Sequence, residues 1–279
     1  RDLIALGKTE SARSREELLE VKQGLSDRYD IDPNLPMNDF LEALKPHLTL
    51  PKNKEDFLAN VRLAFDKANA FFTDPHENNV VPAQQADIEV SNAPGFLQKF
   101  GFIVMFADLY HPGPDRPPAT YMVGADVLSP ETNTTCSLEN LMVLATHEVT
   151  PGHINQGVLM QRSNDVNRRI GAGMSSIGPL EGWGLFAEEL AHEAGFFEWV
   201  SCEDECQMDP LIIRLFYLKG KLLRAGRMVV DPALQLGEMS ADDVQRYLVE
   251  ECLAEPRFAA GQAAYYPLLP GYPSSYYPA

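Results

Sequence analysis

At 279 residues, 45% of them hydrophobic and 23% charged, the chain carries enough apolar material for one large domain or two smaller ones. Its 40 acidic against 23 basic residues give a formal net charge of -17, a surface that repels nucleic acid and anionic membranes and argues against a nucleic-acid-binding role. It holds no run of roughly 18 apolar residues, so no membrane-spanning helix is expected.

The chain opens at Arg1 with no Met and no visible leader. That reads as a fragment or a processed product and leaves a cytoplasmic or a secreted or periplasmic location open. Mainly helical patterns follow in chain order. In "SREELLEVKQGLSDRY", Ser14 and Glu17 have the spacing of a capping box. In "KEDFLANVRLAFDKANAFF", Phe57, Val61, Ala64, Phe65, Ala68 and Phe72 fall on one helical stripe. The period fades over residues 74–94. A division there gives an N-terminal helical segment, 1–75, and a second domain, 76–279, with a single domain as the alternative. "ADIEVS" and "PATYMVGADV" are short strand candidates, the second preceded by the turn-rich "HPGPDRPP".

From Ser137 the helical period returns. Ser137 is an N-cap for "LENLMVLATHEV" and Glu139 falls in its first turn, while Asn140 at the third position denies it a full capping box. The Gly/Ser-rich "GAGMSSIGP" separates this helix from "LEGWGLFAEELAHEAGFF". A long helix, "PLIIRLFYLKGKLLRAGRMVV", is expected to stop at Asp231-Pro232, and Ser240 to cap "ADDVQRYLVEECLAE". Four prolines among the fifteen residues of "YYPLLPGYPSSYYPA" rule out a long helix in the tail. The expected fold class is mainly α, with a small β element near the helix that ends in His147. Of the cysteines, Cys202 and Cys206 sit four apart on one potential helix face; free, partly buried thiols are the first reading, a disulfide or metal pair the second. Asn133 opens an Asn-Thr-Thr glycosylation triplet, which matters only in a secreted chain.

The densest chemistry is "HEVTPGH", His147 to His153. In the zinc signature H-E-x-x-H, two histidines one helical turn apart reach one metal, and the Glu between them activates its water. Here the histidines are six apart, about 120° off a common face on an unbroken helix. Pro151 changes the geometry. It has no N–H for the His147 carbonyl and its ring crowds that turn, and Gly152 tolerates backbone angles other residues resist. The pair is expected to interrupt the helix and swing His153 back towards His147. The alternative is a helix that simply ends at the proline, with one imidazole at its end and the other on the surface.

A zinc site of this kind needs a third protein ligand and an open position for water. In "EGWGLFAEELAHE", Glu181, Glu188 and His192 lie at offsets 0, 7 and 11, within about 20° of one line on a helix. Each is a candidate. Glu181 stands first because it sits beside Trp183 at the start of an aromatic, Gly-containing segment; a solvated acidic face is the plainer reading of the whole run.

These segments resemble the DUF885 family of bacterial proteins, which in turn resemble zinc metallopeptidases of the gluzincin type. The family motif H-E-x-x-P-G-H, commonly followed by another His and a Gln, reads "HEVTPGHINQ" here, with Ile154 after His153 and Gln156 retained. The family's "EGWALYAE" reads "EGWGLFAEE", with Phe186 for the Tyr. "LLRAGRMVVD" resembles an Arg-x-Val-Val-Asp helix end, although Gln235 replaces a common His and Met239-Ser240 a Trp-Ser turn. "AAGQAAYY" resembles "PGQALSY": Gly261, Gln262, Ala263 and Tyr266 match, while Ala260 and Tyr265 replace the Pro and Ser, and Arg257-Phe258 lies near the family's Arg-Tyr. Family members are commonly much longer, so an N-terminal half is expected to be missing.

The resemblance implies a metallopeptidase-like helical domain and a zinc-dependent hydrolase of peptide or related amide bonds. His147, His153 and Glu181 would hold zinc, and Glu148 would act as general base and carry the proton to the leaving amine. Tyr266, with Arg257 second, would face the oxyanion, and Gln262 and Gln156 would contact a peptide or small amide substrate. Two rivals stand beside it. One is a non-catalytic binding or structural homologue, favoured by the short length, the tail and Gln235. The other is a hydrolase of non-peptide amides or lactams.

Overall fold

The apolar stripes of the sequence become helices packed in pairs. The structure is a computed structural model that describes residues 2–73, 88–92, 104–106, 119–123, 133–161, 165, 177–202 and 208–277. The chain is mainly helical. It divides into two compact units, one of Arg1–His47, Ile177–Leu185 and Asp209–Ala279, the other of Leu48–Ser176 and Phe186–Met208. The division expected at 75/76 falls inside the second unit.

In the first unit, α1 (Asp2–Tyr29) buries Leu18, Val21 and Leu25. It begins a full twelve residues before Ser14, so the capping-box spacing there does not mark a helix start. Ser14 is fully buried inside the helix. Packing against α8 (Pro210–Gln235) explains the extension. A Cβ on Gly7 would lie 2.8 Å from the Met228 Cβ, so the missing side chain is what lets the first turns of α1 approach that helix. α2 (Met37–Leu44) buries Met37, Phe40, Leu41 and Leu44. The Lys22 ammonium closes the α1–α2 connection by donating to the Pro33 and Leu35 carbonyls, at 2.7 and 2.5 Å.

α8 starts on Asp209, whose carboxylate accepts the Leu211 N–H at 2.9 Å, with Pro210 in the first turn where its missing N–H costs nothing. The helix does not stop at Pro232 but runs on to Gln235. Within the last turn Pro232 forfeits only one hydrogen bond, and the buried Val229, Val230 and Ala233 hold the turn in place. Ser240 caps α9 (Ala241–Glu250) with a complete capping box through Asp243. α10 (Pro256–Tyr265) is capped by Glu255. The tail forms two short 3-10 turns, Tyr266–Leu268 and Pro273–Tyr276, as its prolines require.

In the second unit, all six stripe residues of α3 (Lys54–Thr73) are buried. Among the described residues three short strands follow: β1 (Ile88–Asn92), β2 (Val104–Phe106) and β3 (Ala119–Val123). Their order is β1-β3-β2, with β1 parallel and β2 antiparallel to β3. β1 and β3 fall in the two segments read as strand candidates; β2 had no alternating pattern to announce it. α4 (Leu138–Glu148) packs on α3, and Ser137 caps it by accepting the Asn140 N–H at 3.3 Å. α5 (His153–Gln161) follows after four residues. α6 (Ile177–Glu193) contributes its residues up to Leu185 to the first unit and the remainder to the second. α7 (Phe196–Ser201) brings Phe196 and Trp199 against Phe71 of α3, with ring centroids 5.3 and 5.2 Å apart. Cys136 and Cys252 are buried and Cys202 is exposed; Cys206 and most of the Gly/Ser-rich stretch at 171–179 lie outside the described residues.

Candidate metal centre

The site grows from the break between α4 and α5. α4 buries Leu141, Met142 and Ala145, and its last two residues are His147, 4% exposed, and the half-buried Glu148. Pro151 offers no N–H, so the helical ladder cannot continue; instead the Val149 and Thr150 N–H groups both donate to the Ala145 carbonyl, at 2.9 and 3.3 Å. The Thr150-Pro151 peptide is cis. The Thr150 hydroxyl donates to the side-chain oxygen of Asn69 on α3, which ties the turn to the neighbouring helix. Gly152 then passes so close to α4 that a Cβ on it would sit 1.8 Å from the His147 carbonyl oxygen. No side chain fits there. α5 starts at the next residue, with the Gln156 N–H donating to the Gly152 carbonyl at 2.9 Å.

The consequence is the meeting that six-residue spacing on a straight helix denies. The imidazole centroids of His147 and His153 are 4.7 Å apart, nearly perpendicular. Neither histidine is left on an open surface: His147 is buried and His153 half-buried. Ligand atoms of His147, His153 and Glu181 all lie within 4.8 Å of one another, a group able to hold a metal ion.

The three carboxyl and imidazole candidates on α6 have separated into different roles. Glu181, 8% exposed, belongs to the metal group and accepts a hydrogen bond from the Tyr272 hydroxyl at 3.0 Å. Burial first, then Tyr276 and Glu181, raise the Tyr272 phenol above its ordinary value, which keeps it a donor at neutral pH. Two turns on, Glu188 lies 2.6 Å from Nδ1 of His147, both side chains almost fully enclosed. A carboxylate at Nδ1 fixes the imidazole and directs Nε2 towards a metal. His192 stacks on Phe197, with centroids 5.7 Å apart.

The residues matched through the other blocks form a cluster of their own. Arg227 donates from Nε to the Tyr266 hydroxyl at 3.0 Å and from Nη2 to Gln262 Oε1 at 2.9 Å, and Tyr266 donates to the same Gln262 oxygen at 3.0 Å. Burial raises the Tyr266 phenol against the opposing pull of Arg227. Arg257 is exposed in the first turn of α10, and Gln156 is half-buried on α5. Tyr272, Asn69 and Arg227 were not picked out from the sequence as functional. Only Arg227 had a signal, its place in the "LLRAGRMVVD" block.

The sequence model of a family described as "Bacterial protein of unknown function (DUF885)" matches residues 1–278. The chain belongs to that family. Two solved structures resemble this DUF885 chain. One is titled "The crystal structure of the putative lipoprotein from Colwellia psychrerythraea", with a TM-score of 0.77 and 20% identity over 99% of this chain and 43% of that one. The other is "a putative lipoprotein of unknown function from Shewanella oneidensis", with a TM-score of 0.69 and 20% identity over 99% of this chain and 47% of that one. The likeness establishes a shared fold, and the DUF885 chain spans less than half the length of either neighbour. No curated protein matches it.

Proposed function

We propose that this DUF885 chain is a zinc-dependent hydrolase of peptide or related amide bonds built on a metallopeptidase-like helical fold. The observation that carries the reading is the convergence of His147, His153 and Glu181. Two imidazoles and one carboxylate are a donor set suited to zinc, with a fourth position left for water. Glu188 supports the fit by fixing the His147 ring, and Gly152 by allowing His153 to fold back. Bound zinc supplies a Lewis acid and lowers the pKa of water towards neutrality.

Glu148, next to His147 at the end of α4, takes a proton from the attacking water and delivers it to the leaving amine. Tyr266 faces the oxyanion by exchanging its Gln262 acceptor for the substrate oxygen, a role for which exposed Arg257 is the weaker choice. Gln156 and Gln262 contact the substrate backbone. Among the described residues no helix is long and apolar enough to cross a membrane, and the lipoprotein titles of the structural neighbours favour an exported location over a cytoplasmic one.

Glu148→Gln is expected to keep zinc and lose turnover by roughly 10²–10⁴-fold on peptide substrates. Unchanged turnover would remove Glu148 as the base. Glu181→Ala is expected to weaken zinc more than Glu188→Ala does; the reverse order would mean that the ligand carboxylate is Glu188. A second reading, a binding or structural homologue without catalysis, draws support from the engagement of Tyr266 and Gln262 by Arg227. Purified protein that holds no zinc would favour it. Profiling on peptide and non-peptide amides separates the two hydrolase readings.

A further inference from the structure

Apart from Tyr266, the Pro/Tyr-rich tail and the "LLRAGRMVVD" block have no part in the hydrolytic steps, yet the tail reaches Glu181 of the metal group. On α8, Arg227 and Asp231 lie one turn apart and both hold the tail. Asp231, 1% exposed, accepts the Gly271 N–H at 3.4 Å, the Ser274 N–H at 3.2 Å and the Ser274 hydroxyl at 2.6 Å. The Arg227 guanidinium lies over the Tyr276 ring, 5.0 Å from its centroid. Between these two anchors the chain turns through Gly271 at φ 82° and presents Tyr272. The Tyr272 hydroxyl lies 3.1 Å from that of Tyr276 and donates to Glu181 at 3.0 Å.

We infer that Tyr272 is a positioning residue for the Glu181 carboxylate, held in register by Arg227 and Asp231 of α8. The inference rests on the zinc reading, with Glu181 as a ligand. A carboxylate on a metal keeps a lone pair for an outer hydrogen bond, and that bond selects one rotamer and one ligand direction. Burial of the tail alone does not require the contact, because a phenylalanine ring would pack as well as a tyrosine ring against Tyr265 and Tyr276, whose centroids lie 6.5 and 6.0 Å from that of Tyr272. The hydroxyl is the part that reaches Glu181. The charged pair in the α8 block thereby gains a role, since it docks the segment that orients a metal ligand.

The test is zinc affinity by chelator competition on the full chain, with the visible absorption of the cobalt-substituted protein as a second readout. Tyr272→Phe is expected to weaken zinc by about 10–100-fold and to change the cobalt bands, with the metal-free protein still folding cooperatively. Ser274→Ala, which loosens the Asp231 anchor and leaves the Tyr272 hydroxyl in place, is expected to move affinity in the same direction by less. Tyr265→Phe is expected to match the wild type. A wild type that binds zinc and a Tyr272→Phe protein with equal affinity and the same cobalt spectrum overturn the positioning role and leave the zinc reading intact. A wild type that binds no zinc overturns both. Should Tyr272→Phe fail to fold, Ser274→Ala decides, and unchanged affinity in it overturns the inference.

Discussion

Gly152 is the residue at which the candidate metal centre tolerates least. A Cβ there would meet the His147 carbonyl oxygen at 1.8 Å, the His147 carbonyl carbon at 2.3 Å and the Thr146 carbonyl oxygen at 2.6 Å. All three are backbone atoms, which cannot rotate aside. Overpacking a site that can yield costs about 1–3 kcal/mol, and this one has no side chain to move. Gly152→Ala is therefore expected to lower the unfolding free energy in urea by about 3 kcal/mol and to weaken zinc, because His153 is carried on the displaced turn. A protein of unchanged stability would show that the turn opens without cost. The meeting of His147 with His153 was legible beforehand, since Pro151 and Gly152 are local features with local consequences. The partners of the group were not. Glu188 was weighed as a ligand, and its place beside Nδ1 of His147 depends on how α6 packs, which no spacing reveals. The Tyr272–Glu181 and Thr150–Asn69 bonds span 91 and 81 positions and leave no period in the sequence.

At the scale of elements, the start of α4 holds a conflict that pH exposes. Glu139 is 1% exposed in the first turn, where its carboxylate accepts the Thr49 N–H at 3.0 and 3.2 Å. Burial raises its pKa above the ordinary 4.5, and the hydrogen bonds to Thr49 only partly oppose this. The sign follows. With the folded value above the unfolded one, the native state holds the proton longer, so the contribution to stability is complete below pH 4.5 and is lost as pH rises through the raised value. Glu139→Gln keeps an acceptor for Thr49 and removes the titration. Its stability relative to wild type is expected to improve between pH 4 and pH 7, in urea melts at the two values; a difference that stays constant would refute the assignment. Helices were the most legible part of the fold wherever a whole apolar stripe is buried, as in α3. Their ends were less so. Ser14 has the spacing of a cap and lies inside α1, because Gly7 lets the preceding turns pack on α8. Pro232 has the look of a stop and lies inside α8, because its neighbours are buried. In both, tertiary contact outweighed a local signal.

Across the whole molecule the dominant feature is charge, 40 acidic against 23 basic residues for a net of -17. Two effects of added salt compete. Partly exposed ion pairs such as Lys45–Glu42 at 2.7 Å and Arg13–Glu10 at 2.8 Å weaken as they are screened, but surface pairs are worth only about 0–1 kcal/mol each. The excess of acids repels itself over longer distances, more strongly in the folded state than in an expanded chain, and that repulsion is relieved by the same screening. Going from about 10 mM to about 150 mM salt shortens the Debye length from roughly 30 Å to roughly 8 Å, which removes the long-range repulsion and leaves contacts of a few ångströms largely intact. Relief should win. The thermal midpoint of the metal-free protein is expected to rise by about 2–4 °C over that range, equivalent to about 1 kcal/mol in a chain of this size. Sodium and potassium chloride should act alike, since screening depends on ionic strength and not on the ion. A midpoint that falls in both salts would mean that the paired charges outweigh the unpaired acids.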